Sequence, residues 1–241
     1  MIKASLARLA AVLVVTAACL WVIQQAATIG WASFQSTEAR ALQWQWKMKP
    51  KSVDQLDWNR AREQYLLALA LDPENPEYHE GFANLYLARL AGMPGDRARM
   101  RPYFSIVLQH YLRAATLRPT RPYVHAGIAL VKVQMGELDG DFRRALALAS
   151  HYGPWEAAIH EFVIKTGYGN WAALGEPERE LVRGTLQRVQ QHRPKETAAL
   201  LAGIKAWLPK CAGLGADLGH ACAGATMATM PQPGVGKERQ P

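Results

Sequence analysis

Apolar and polar positions divide this chain into two kinds of segment. Residues 9–23 carry no charge, and the uncharged run continues to Thr37. From Ser52 to Pro209, apolar residues recur three and four positions apart, which is typical of amphipathic helices. No stretch alternates apolar and polar residues for long enough to predict a sheet. The pattern therefore predicts an all-α protein, with one N-terminal transmembrane helix followed by a helical domain over residues 52–209.

A short helical run that ends in a proline returns three times in the helical part. The runs cover residues 65–73, 111–119 and, more loosely, 146–154, so their prolines lie 46 and 35 residues apart. Periods of about 34 residues mark tetratricopeptide repeats, in which pairs of antiparallel helices bury their apolar faces by stacking on neighbours. Turn formers and arginines from Gly92 to Pro102 predict an inserted loop that lengthens the first interval.

The internal positions of the runs agree with a tetratricopeptide-like helical hairpin solenoid. The second helix of such a repeat carries a small residue, an aromatic residue four positions later, and another small residue three positions after that. Ala61, Tyr65 and Ala68 match this pattern, and so do Val107, Tyr111 and Ala114, although valine is a poorer match than a small residue. The first helix carries a large apolar residue, a small one and a tyrosine, as in Phe82, Ala83, Tyr86; the next unit has Ile128 and Ala129, but Lys132 replaces the tyrosine. We predict that Phe82, Tyr86 and Tyr111 belong to the packed core. A helical domain without repeats is the alternative.

Two further helices are predicted after the third proline. Pro177, flanked by Glu176, Glu178 and Glu180, is a typical helix start, because the first turn tolerates proline and its dipole favours carboxylates. Leu181, Val182, Leu186 and Val189 then recur at helical spacing up to Pro194. A second helix over residues 195–208 would complete a pair that caps the stack. The glycine- and proline-rich residues 210–241 predict a flexible C-terminal tail.

The apolar segment at the amino terminus permits three interpretations. Lys3 and Arg8 precede it, which favours a cytoplasmic stub over residues 1–8 and a transmembrane signal anchor over residues 9–34. A cleaved secretory signal is the second interpretation, since small residues are present at 16–18 and 24–27. A lipoprotein signal that ends at Cys19 is the third. All three place the helical domain outside the cytoplasm.

The distribution of charge bears on whether the protein binds nucleic acid. The net charge of +8 is spread along the chain, and only Arg97 to Arg101 resembles a basic patch, which we interpret as a solvated loop. We therefore expect no nucleic-acid partner.

Cys211 and Cys222 either form a disulfide outside the cytoplasm or remain free thiols. Metal binding by these cysteines with His220 is a poorer interpretation, because no fourth ligand is evident.

The sequence contains no motif for catalysis or cofactor binding. No phosphate-binding loop, zinc-protease motif or nucleophile elbow is present. His151, His160 and Glu161 are interpreted as residues near helix ends, and Glu137, Asp139 and Asp141 as caps of the helix that begins near Phe142. Trp171, a few residues before Glu176, is more plausibly packed than part of a sugar platform. We therefore predict no catalytic, cofactor-binding or metal-binding residue, no cofactor, and a protein that is not an enzyme.

The apolar anchor and three junctions together resemble the VpsP family of polysaccharide biosynthesis proteins. The junctions are Asp72 to Glu80, Leu117 to Tyr123 and Gly153 to Glu156, and the resemblance covers roughly residues 5–210. It implies a single-pass inner-membrane protein of Gram-negative bacteria, with its helical domain in the periplasm, that supports exopolysaccharide biosynthesis and export by binding proteins of the assembly or export complex. It supplies no catalytic residues. Alternatives are a general periplasmic tetratricopeptide adaptor for envelope or cytochrome assembly, and an enzyme that acts on glycans.

Overall fold

The structure is a computed structural model that describes residues 2–49, 53–91 and 97–193, and this part of the chain is all-helical, as the sequence predicts. Its helices are α1 (Ile2–Met48), α2 (Gln55–Leu71), α3 (Pro76–Ala91), α4 (Arg97–Leu117), α5 (Pro122–Met135), α6 (Gly140–Tyr152), α7 (Ala157–Gly169) and α8 (Glu176–His192), with a 3-10 turn at Trp171–Ala173. The chain forms two compact units that divide between Ala88 and Arg89. The predicted helix over residues 195–208, the tail, Cys211 and Cys222 lie outside the described residues.

The first half of α1 is long and apolar enough to cross a membrane. Its most apolar stretch is not buried inside the protein. Large apolar side chains there, such as Leu13, Val14 and Trp21, are more than half exposed. A span of the hydrocarbon core needs about 20 residues, which α1 provides before its first packed residue, Ala32.

The second half of the same helix packs on α2. Four of its residues are almost inaccessible to solvent and fall at helical spacing: Ala32, Ser36, Ala39 and Trp46. Gln43 joins three helices, because its amide accepts a hydrogen bond from the Tyr65 hydroxyl (2.7 Å) and donates one to the Gly81 carbonyl (2.6 Å). The apolar segment therefore continues without a break into the first helical hairpin, ahead of the domain start predicted at Ser52.

Four helices, each followed closely by a proline, bury residues at the same three positions. Counting back twelve, eight and five residues from each proline that closes a run gives four buried sets: Ala61, Tyr65, Ala68 on α2; Val107, Tyr111, Ala114 on α4; Phe142, Leu146, Ala149 on α6; and Val182, Leu186, Val189 on α8. Small residues at these positions allow two helices to approach closely. The core predictions for Phe82, Tyr86 and Tyr111 are confirmed, since each is at most 6% exposed.

Two tyrosines of these sets lie against glycines of the following helix. A methyl group built on Gly81 would lie 2.5 Å from the Tyr65 hydroxyl oxygen, and one on Gly127 would lie 2.5 Å from Cζ of Tyr111. No side chain other than hydrogen fits beneath either ring. The glycines therefore set the distance between α2 and α3 and between α4 and α5.

The prediction of a loop at Arg97 to Pro102 is wrong. These residues form the first turns of α4, and Pro102 lies inside the helix. The arginines, alanine and methionine of this stretch are strong helix formers, so they extend α4 toward its amino end despite the hydrogen bond that proline cannot make. Much of the extra length between the first two prolines is therefore helical.

Candidate functional site

Three junctions between consecutive helices share a contact from histidine to proline. His79, His125 and His160 each lie six residues after the proline that closes a run. In each case the ring Nε2 lies within hydrogen-bond distance of that proline's carbonyl oxygen, at 2.9, 2.6 and 2.7 Å. The repeated contact fixes how each new helix leaves the junction. It also fixes the histidine tautomer, because a carbonyl only accepts and Nε2 must carry the proton.

The third junction opens onto a cleft between α7 and α8. Its volume is about 200 Å³, and it is lined by Trp155, His160, Arg188, Val189, His192 and Arg193. The Pro154 carbonyl beside it accepts hydrogen bonds from both His160 and Arg188, the latter at 3.3 Å. This shared acceptor holds one side chain from each helix at the same point.

His160 leaves one ring nitrogen without a hydrogen-bond partner. The residue is 6% exposed, and its Nδ1 is one of three such buried side-chain atoms in the described part of the chain. With the proton on Nε2, Nδ1 is an acceptor and requires an N–H or O–H donor. Burial lowers the pKa of His160, as do the charges of Arg188 and Arg193, while the hydrogen bond to Pro154 and the charge of Glu156 act in the opposite direction. The ring is therefore neutral near pH 7.

Trp155 is the exposed edge of this cleft. It is 65% exposed, although tryptophan is usually well buried. Its ring meets that of His192 edge to face at 5.6 Å. Glu74 and Thr120 occupy the corresponding positions after the other two prolines. The nearest acid along the chain, Glu156, accepts a hydrogen bond from the Tyr123 hydroxyl at 3.0 Å.

A buried lysine forms a second cluster of charges, at the turn from α5 to α6. Gly136, with φ +75°, ends α5 and lets the chain turn back. The Lys132 amine then lies 2.6 Å from Asp139 and 3.6 Å from Glu137. Burial alone would lower the pKa of Lys132, but the hydrogen bond and charge of Asp139 raise it overall. The lysine that replaces the expected tyrosine thus stabilises a turn.

The other residues that the sequence offered as candidate site residues have structural roles. Asp139 caps α6 as predicted, accepting bonds from the amides of Asp141 (3.1 Å) and Phe142 (3.0 Å). Trp171 is packed as predicted, stacked on Tyr168 at 5.1 Å between ring centroids. His151 is exposed at the end of α6, whereas His160 lies buried on α7. Across the described residues, no group of three histidine, cysteine or carboxylate side chains is placed to hold a metal ion.

Comparison with protein-family models gives no match to this chain, and comparison with curated proteins gives none either. The sequence pattern indicates His160 only as a residue near a helix end and Trp155 as part of a turn. The constant spacing of six residues from proline to histidine was a signal in the sequence for the junction contact. The unpaired Nδ1 and the arginine from α8 had no such signal, because they depend on how α7 and α8 pack.

Proposed function

We propose that this protein is a membrane-anchored scaffold or adaptor that supports exopolysaccharide biosynthesis and export through protein–protein interactions. Its helical hairpins would be of the tetratricopeptide type and lie in the periplasm, behind a single span of the inner membrane. The resemblance to the VpsP family suggests the pathway. The partners would be proteins of the polysaccharide assembly or export complex, and the protein would have no catalytic activity of its own.

The observation that carries the proposal is the continuity of α1. One helix extends from the apolar segment to Trp46, and its packed residues from Ala32 onward hold α2 against it. A flexible linker would let the hairpin move freely, whereas a continuous helix holds it close to the membrane surface. Such a position suits a protein that assembles membrane-bound partners.

The recurring hairpins support a role in binding. Repeated helix pairs present extended surfaces, and such proteins commonly recognise other proteins through them. α2 also exposes large apolar side chains that nothing in its own unit covers: Leu56 is 73% exposed, Leu66 41% and Leu67 53%. Exposed apolar residues on one helix are suited to contact a partner protein.

Photo-crosslinking in the native cell tests this function. A photoreactive amino acid at Leu67 of the full-length tagged protein would capture neighbours of α2, which mass spectrometry identifies. The same amino acid at Leu13, which is 61% exposed in the apolar segment, is the matched control for proteins that merely share the membrane. We expect capture at Leu67, and not at Leu13, of polysaccharide polymerase, chain-length or export components. Capture of unrelated envelope machinery at Leu67 would refute the assignment.

A second experiment tests the orientation. Alkaline phosphatase is active only outside the cytoplasm, where its disulfides form. Fused after Arg193, it should be active in cells, and a green fluorescent protein that matures only in the cytoplasm should be dark at the same position. The opposite pattern would place the hairpins in the cytoplasm and refute the periplasmic part of the proposal.

A further inference from the structure

The cleft at the third junction combines three chemical demands on a ligand. Arg188, His192 and Arg193 line it, so an anionic group is favoured there. Trp155 offers a flat apolar surface at its edge. The unpaired Nδ1 of His160 requires a hydrogen-bond donor.

The arginine from α8 has capacity for such a ligand. A guanidinium carries five N–H donors, and the structure shows one bond from Arg188, to the Pro154 carbonyl. This bond positions the side chain, which is half-buried beside the cleft. A carboxylate placed there would receive charge-assisted hydrogen bonds, which are about twice as strong as neutral ones.

His160 accounts for the third demand on a ligand, which is a hydrogen-bond donor. All three junction histidines contact their prolines in the same way. Among the three, His160 is the one with a buried ring nitrogen, Nδ1, that has no hydrogen-bond partner. An unpaired buried acceptor costs about 1–3 kcal/mol. Nδ1 is closed to solvent in this structure, so a ligand hydroxyl reaches it, and recovers this cost, only when the side chains over it move.

We propose that this cleft binds a carboxylate-bearing sugar unit of an acidic polysaccharide. A uronic acid has a carboxylate for Arg188 and an apolar ring face that stacks on Trp155. Its hydroxyl groups donate to Nδ1 of His160 once the side chains over that atom move. Inorganic phosphate has no apolar face, and a neutral sugar has no charge. An acidic peptide offers similar groups, and the choice of a glycan over a peptide rests on the proposed function.

Direct binding to the full-length protein in detergent micelles tests the proposal. The probe is tri-galacturonic acid, titrated by isothermal calorimetry, with maltotriose, inorganic phosphate and a tri-glutamate peptide as comparison ligands. We expect saturable binding of the uronate that weakens as salt rises, because the charges are partly exposed. Maltotriose should not bind measurably, and phosphate and the peptide should bind at least about tenfold more weakly.

Matched variants locate the site. Trp155→Ala and Arg188→Gln should each weaken uronate binding about tenfold or more, as expected for the loss of a charge-assisted contact or a stacking surface. Trp44→Ala removes a tryptophan that is 66% exposed on α1, and Arg144→Gln removes an exposed arginine of α6; both should bind like wild type. Circular dichroism checks that every variant is folded.

The outcomes separate the cleft from the proposed function. No uronate binding, equal binding of maltotriose, stronger binding of the peptide or of phosphate, or binding that Trp155→Ala and Arg188→Gln leave unchanged would each overturn the inference. If the photo-crosslinks from Leu67 still identify the polysaccharide complex, the adaptor function stands without the cleft. If uronate binds at the cleft while the crosslinks identify unrelated machinery, the ligand class stands and the adaptor function fails.

Discussion

Replacing Gly127 with alanine places a methyl group where α5 lies against α4. The added Cβ would lie 2.5 to 2.7 Å from three ring carbons of Tyr111, whereas carbon atoms in contact are about 3.5–4.0 Å apart. The ring has little room to move, because Tyr111 is only 2% exposed. Either the tyrosine leaves its position or the two helices separate.

Two opposing effects set the change in the free energy of unfolding on Gly127→Ala. Overpacking of a filled core costs about 1–3 kcal/mol, and an overlap of roughly 1 Å with three atoms places this substitution near the upper end. Alanine is favoured over glycine inside a helix by about 1 kcal/mol. The free energy of unfolding should therefore fall by about 2 kcal/mol, which corresponds to a melting temperature about 4–8 °C lower in a chain of this size.

Thermal unfolding of the full-length protein, followed by circular dichroism in detergent, measures the effect. Gly184→Ala is the matched control, since a methyl group there meets nothing within 4 Å. The control should gain up to about 1 kcal/mol from helix propensity alone. A Gly127→Ala protein that melts at or above the wild-type temperature would refute the close contact and the helix register that it implies.

A second substitution should rescue the first. At the third junction, Leu146 of α6 and Phe162 of α7 occupy the positions of Tyr111 and Gly127, so a smaller residue on one helix accompanies a larger one on the next. In a Tyr111→Leu background, which lacks the overlapping ring atoms, Gly127→Ala should be neutral or stabilising. The two changes should therefore show a coupling energy of about 2 kcal/mol.

Three other outcomes follow from the structure. Tyr86→Ala should lower the free energy of unfolding by about 3 to 5 kcal/mol, because the ring is 6% exposed and its hydroxyl accepts a bond from Arg62; an unchanged urea midpoint would contradict this. Asp139→Ala should cost about 1 kcal/mol more than Asp139→Asn, which keeps the cap. Lys132 holds the pKa of Asp139 below its usual value. The stabilisation from ionised Asp139 is therefore present above about pH 4 and is lost as the pH falls through the lower pKa of the folded state. Asp139→Asn should remove this part of the acid dependence of stability, as measured by urea unfolding. Burial holds the pKa of His160 down, so stability should fall as the pH drops below about 6.5, and His160→Gln should flatten the melting temperature between pH 7 and pH 5.

Much of the hairpin packing was encoded locally. The pattern of small and aromatic residues identified Tyr86 and Tyr111 as core residues, and both are buried. The same count from Pro154 also identifies Phe142, although phenylalanine stands where a small residue is expected. Packing tolerates such exchanges when the facing position changes in size as well. The sequence pattern was therefore strict in spacing and loose in residue type.

The wrong prediction of a loop arose where local signals conflicted. Glycines and prolines between Gly92 and Pro102 suggested a loop, but Arg97 to Arg101 are helical because helix propensity outweighed the single lost hydrogen bond at Pro102. The anchor was predicted over residues 9–34, and the structure adds that Ala32 and Ser36 of the same helix pack within the first helical unit. Neither residue carries a signal for this contact, since alanine and serine are compatible with both environments.

The sequence by itself determined the helical class, the apolar span and the spacing of the hairpin cores, because these depend on periodicity along one helix. The tertiary structure decided which side chains meet across helices. It joined α1 to α2 and α3 through Gln43, brought Lys132 to Asp139 at the turn from α5 to α6, and brought Arg188 of α8 to the Pro154 carbonyl beside His160. Such contacts depend on the distance and rotation between helices, which are set by the volumes of all the side chains between them. No local pattern contains that information.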